Sequence, residues 1–87
     1  MYCAKFDQDW EKYFSKLNHE LKERTVKKLK QILIHPYKRH LTKGANFFVA
    51  EVGQYRIIYR IFENEQEVRF YFIGNHKQYV QWYSKLF

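Results

Sequence analysis

The hydrophobic period of this chain changes from helical to strand-like between residues 36 and 47, and that change restricts the folds open to it. Before it, apolar side chains recur every three to four positions, the spacing of a helix with one buried stripe. Trp10, Tyr13, Phe14 and Leu17 stand at i, i+3, i+4, i+7, with Lys12 and Lys16 on the other side. A second stripe runs through Leu21, Thr25, Leu29, Ile32 and Leu33, with Val26 beside it. Lys22, Arg24, Lys27, Lys28 and Lys30 cover much of the remaining surface. The connection at 18–20 is short, which predicts an antiparallel helical hairpin. His35-Pro36 ends the second helix, because the residue before proline avoids the αR region. Asp7 is the expected N-cap of the first helix, which puts Asp9 and Glu11 in its first turn, where the helix dipole favours acids.

After the break the period is two. Residues 47–52 (FFVAEV), 55–62 (YRIIYRIF) and 67–73 (EVRFYFI) read as strands, and the short connectors GQ and ENEQ make them an antiparallel meander. All three carry apolar residues on both faces, so both faces need at least partial cover, one of them from the helical hairpin. Residues 1–6 alternate as an early strand, and 37–46 form a polar, basic loop. Gly74 permits a turn, Asn75 and Gln78 have the spacing of a capping box, and Tyr79, Trp82, Tyr83 and Leu86 repeat the helical stripe. The expected fold class is therefore α+β: a helical hairpin packed on a small antiparallel sheet, in βααβββα order, with residues 1–87 as one domain.

A chain of 87 residues buries roughly 60–65% of the surface its unfolded form exposes. Eight Tyr, eight Phe and two Trp must supply part of the core, which leaves other rings free to stack on a partner. The 16 Lys and Arg against nine Asp and Glu give a net charge of +7, concentrated in residues 1–45, where eleven basic side chains face five acidic ones. Such a field favours polyanions: nucleic acid, an acidic membrane or an acidic protein. Cys3 is the single cysteine, which excludes an internal disulfide and a cysteine zinc site and reads as a reduced small hydrophobe. No pair of His or Cys has ligand spacing backed by a second pair, so no metal is expected. No apolar run approaches the ~18 residues of a membrane span, and the N-terminus lacks a secretory apolar region. A cytoplasmic protein is expected.

The stretch EVGQYRIIYRI (51–61) resembles a hairpin of the RelE/ParE superfamily, the toxins of type II toxin–antitoxin systems. FIGNHKQYVQWY (72–83) is similar to that family's glycine-histidine-basic-x-x-tyrosine ending, and HLTKG (40–44) looks like the segment before its second strand. The resemblance covers nearly the whole chain. It implies a RelE-like microbial ribonuclease fold and a toxin neutralised by a cognate antitoxin, a short chain that is acidic or partly disordered. In the RelE-like mRNA interferase branch, the favoured one, the partners are the ribosome and mRNA, which is cut by 2′-OH attack without a cofactor. The alternatives are a ParE-like poison of DNA gyrase that does not cleave RNA, or an inactive basic RNA-binding relative.

On the strand, Arg56, Ile58, Arg60 and Phe62 share one face, and Tyr55, Ile57, Tyr59 and Ile61 the other, which is the better core face. Arg56 is open to two readings. It pairs with Glu51 or Glu67 across strands, or it serves as a fixed bidentate donor for the charge that grows on a phosphorane. The resemblance favours the second, since Arg56 matches the family's catalytic strand arginine. His76 follows a strand end, where a scaffold displays residues. A histidine side chain titrates near about 6.5, which suits proton transfer at neutral pH. His76 matches the family's general acid for the 5′-leaving oxygen, and Tyr79 matches a tyrosine three residues on, although Tyr79 also belongs to the helical stripe. His40 resembles a catalytic histidine of one ribonuclease branch. Lys43, Arg60, Lys77 and Tyr83 are candidates for RNA binding, by phosphate contact or by stacking. The second strand departs from the family pattern: it lacks the lysines some relatives carry, and Glu51 stands where many have arginine. Glu51 is then either the general base or the partner that fixes Arg56.

Overall fold

The computed structural model describes residues 1–36, 39–40 and 47–85, and of Arg39 and His40 the backbone. In chain order the elements are β1 (Cys3–Phe6), α1 (Trp10–Phe14), α2 (His19–Ile34), β2 (Arg39–His40), β3 (Phe48–Val52), β4 (Tyr55–Phe62), β5 (Glu67–Asn75) and α3 (His76–Ser84). The strands form one sheet in the order β1-β5-β4-β3-β2. The expected α+β class and order hold, with two refinements. The meander β3–β4–β5 is antiparallel, but β1 joins its edge in parallel, pairing Cys3–Phe6 with Glu67–Phe70. A two-residue strand, β2, lies within the segment read as loop and pairs with Val49 and Phe48.

The helices start as their capping chemistry dictates, with one correction. Asn18 caps α2 by accepting the Leu21 N–H at 2.8 Å. Asp7 is not the cap of α1. Asp9 occupies that position without a side-chain cap bond, and the Asp7 carbonyl instead accepts the Trp10 N–H at 3.0 Å. The reason is that Asp7 is still tied to the sheet: its N–H donates to the Phe70 carbonyl at 2.9 Å. Helix α1 therefore has only five residues, although Leu17 beyond its end is still buried. Cys3 is exposed at the sheet edge, so it does not serve as a buried hydrophobe.

Two clusters lie on opposite faces of the sheet. The larger gathers Ile57, Tyr59, Val68, Phe70 and Ile73 under Trp10, Leu29 and Ile32. The Tyr59 hydroxyl, fully buried, donates to the Pro36 carbonyl at 2.6 Å and so fastens the chain beyond α2 to the sheet. Its burial pushes the phenol well above the usual tyrosine range. The smaller cluster is Val49, Ile58 and Phe72 of the sheet with Tyr79 of α3, the helix that covers it. A bulge in β5 sets Tyr71 and Phe72 against the same cluster, where strict alternation would separate them. Arg56, Ile58 and Arg60 thus share the face of α3, as the alternation requires.

Candidate functional site

Arg56 stands on the strand at the centre of the meander, flanked in register by Glu51 on β3 and Gly74 on β5. Its side chain is 27% exposed, and one guanidinium nitrogen lies 3.6 Å from the Glu51 carboxylate. That spacing is an ion pair but too long for a direct hydrogen bond. The guanidinium carbon sits 5.0 Å from the centre of the Tyr79 ring, within the range of a cation–π contact. Sheet backbone, carboxylate and ring together hold the charge in one place, and the side chain stays partly exposed.

The register partner on the other side, Gly74, sits under the start of α3. A Cβ added at Gly74 would lie 2.6 Å from Phe72 Cζ and 2.8 Å from Gln78 Oε1. Gly74 is needed for this close approach and not for a turn, since it sits within β5 and Gly53 is the described glycine with positive φ. The Gln78 oxygen at stake is half of the capping box that starts α3. It accepts the Asn75 N–H at 2.9 Å, while Asn75 Oδ1 accepts the Gln78 N–H at the same distance. The box fixes where α3 begins, and hence where His76 and Tyr79 stand.

His76 is the first residue of α3 and is exposed. Its ring centre lies 6.1 Å from that of Tyr79. Tyr79 is 8% exposed and meets Tyr83 edge-on at 5.0 Å. The structure therefore brings Glu51, Arg56, Tyr79, His76 and Tyr83 into one chain of neighbours. Lys77 is exposed one residue further along α3, and Arg60 stands apart at the opposite end of the face. Lys43 and the His40 side chain lie outside the described residues. Glu51 also flanks a groove of about 270 Å³ whose other wall is Arg24, Lys27 and Lys28 of α2. Arg24 reaches the β3–β4 turn, where a Cβ on Gly53 (φ +59°) would come within 3.0 Å of its guanidinium. No group of His, Cys, Asp and Glu among the described residues has the arrangement of a metal site.

The fold, one mixed sheet with helices on both faces, matches solved toxins. The isolated E. coli RelE toxin aligns over 100% of both chains at 20% identity, with a TM-score of 0.77. A chain of the intact E. coli RelBE toxin–antitoxin complex reaches 0.78 at 23% identity, covering 86% of this chain and 96% of that one. The archaeal RelE–RelB complex from Pyrococcus horikoshii gives 0.70 at 17%, covering 85% and 93%. These likenesses establish the fold. Residues 2–79 match the family described as the ParE toxin of type II toxin–antitoxin system, parDE. The chain belongs to that family, and with it to the RelE/ParE superfamily of type II toxins. Comparison with curated protein sequences gives no match.

Sequence reasoning missed the requirement at Gly74 and the involvement of Arg24. No local signal marks either one, because both arise from elements that meet only in the fold.

Proposed function

We infer that this toxin is a metal-independent endoribonuclease that cuts mRNA on the ribosome. The observation that supports the reading most directly is the placement of Arg56, held on rigid backbone between Glu51 and the Tyr79 ring with its side chain partly exposed. In 2′-OH attack the ribose oxygen bonds to the adjacent phosphorus, a base removes its proton, and the bond to the 5′-oxygen breaks as an acid protonates it. Negative charge peaks on the phosphorane between these events, and a preorganised donor lowers that barrier most. Arg56 supplies the donor, and His76, at the exposed start of α3, supplies the proton to the 5′-oxygen. Glu51 takes the 2′-OH proton, with His40 as the other candidate base. Tyr79 orients Arg56 through its ring, and Lys77 and Tyr83 hold the flanking RNA. A cognate antitoxin, as in the RelBE and RelE–RelB complexes, silences the toxin by covering Arg56 or displacing α3. The site of action is the cytoplasm, where ribosomes and mRNA are found.

The family match to the ParE toxin favours one second reading, a non-cleaving poison of DNA gyrase. Mapping transcript ends after induced expression separates the two. Codon-spaced cuts that vanish in Arg56→Ala and His76→Ala support cleavage. Intact transcripts with a DNA-damage response overturn it in favour of gyrase.

A further inference from the structure

At the end of the α3 face away from Arg56, three cations occupy one register row across three strands. Lys5 of β1 pairs in register with Arg69 of β5, and Arg69 with Arg60 of β4. Register partners point to the same side of a sheet, and like charges directly opposite one another destabilise it. Among the described residues, Glu67 is the carboxylate an ion pair links to this row, 3.0 Å from Arg69. The arginines are also stacked. Arg60 lies 5.2 Å from the Phe62 ring centre and 5.5 Å from that of Phe47, and Arg69 lies 5.2 Å from Phe62. Two guanidinium groups thus share one phenyl ring. Such stacking leaves the N–H edges of a guanidinium available for oxygen acceptors. A row that is repulsive by itself and geometrically fixed becomes favourable when a polyanion shares its charge.

We propose that Lys5, Arg69 and Arg60 form a second phosphate-binding patch, which holds the backbone of single-stranded RNA beyond the segment at Arg56. The assignment rests on RNA being the substrate, as inferred above, and adds to it a site at which no cleavage occurs. Arg56 and Arg60 lie on one strand face four residues apart, about 13 Å at the usual strand rise. Between them Ile58 is fully buried beneath α3. An RNA chain reaching both arginines must therefore pass around α3, along the half-buried aromatic flank at Phe47 and Trp82, whose rings meet edge-on at 5.5 Å.

The test uses the full chain and a single-stranded 2′-O-methyl RNA of ~20 nucleotides, longer than the ~16 that large single-fold sites cover. Such an RNA lacks the attacking hydroxyl, so binding is read apart from cleavage. Fluorescence anisotropy across a salt series gives the slope of log K against log salt. Each lost phosphate contact on a single strand lowers that slope by about 0.7, so Lys5→Gln with Arg60→Gln is expected to lower it by about 1.4. Arg60→Lys keeps the charge count and should keep the slope. Where the double variant fails to fold, Lys5→Gln alone, at an exposed edge position, should remove about 0.7. Unchanged slope and affinity in a folded variant overturn the patch. So does weakened binding of an acidic antitoxin with RNA binding intact, which would make the row a protein-docking face. Failure of the cleavage reading shows itself separately, in transcript ends untouched by Arg56→Ala.

Discussion

The two faces of this sheet are built from similar residues and do different work. Beneath α1 and α2, the sheet face is closed by Ile57, Tyr59, Val68, Phe70 and Ile73, each almost or wholly removed from solvent. Beneath α3, the buried residues among those described are Val49, Ile58 and Phe72, joined by Tyr79 of the helix itself, within a ring of half-covered aromatics. A helix of nine residues cannot roof an eight-residue strand and its neighbours, so the strand ends emerge on either side of it. Arg56 emerges at one end and Arg60 at the other. The closed face supplies the stability that lets the open face hold charged groups rigidly, without spending side-chain entropy at the moment of binding.

Substitutions on the two faces should therefore separate stability from function. Phe70→Ala or Ile32→Ala, both at fully buried positions of the closed face, should cost about 2–5 kcal/mol, read as a fall in denaturation midpoint. Loss of toxicity there would follow the loss of fold. On the open face, Arg56→Ala should slow cleavage about 10²–10³-fold, as removal of one preorganised charge donor does. Its thermal midpoint should move little. A large stability loss in Arg56→Ala would erase the distinction between the faces. Gly74→Ala tests the link between them, since the new methyl collides with Phe72 and the capping glutamine. It should cost about 1–3 kcal/mol and displace the start of α3, lowering activity further than its stability loss accounts for.

Two smaller effects belong to the closed face. Tyr59→Phe removes the bond to the Pro36 carbonyl and should cost about 1 kcal/mol at neutral pH. Because burial raises the folded-state pKa of this phenol, its contribution is fully present below the unfolded value of 10.0 and is lost as pH rises beyond it. Unfolding curves of wild type and Tyr59→Phe should therefore converge in alkali. Thr25 is fully buried with its hydroxyl unbonded, so Thr25→Val should raise stability by about 1 kcal/mol. A destabilised Thr25→Val would show that the hydroxyl has a partner in solution.

Much of this protein is set by local pattern. The change of period after Pro36 separates the helical hairpin from the meander, the Asn75–Gln78 spacing marks the start of α3, and alternation on β4 assigns Tyr55, Ile57, Tyr59 and Ile61 to the core and Arg56 to the other face. These features depend on residues within a few positions of one another, which is why the sequence determined them. Only the tertiary structure decided the parallel docking of β1, the shortness of α1 and the true reason for Gly74. It also chose Glu51 over Glu67 as the partner of Arg56, and it set Lys5 beside Arg69 and Arg60. That row depends on register between strands far apart in sequence, and such register is fixed by the packing of whole elements. In the sequence Arg60 is one of several candidates for RNA binding, but pairing across the sheet gives it a row of its own.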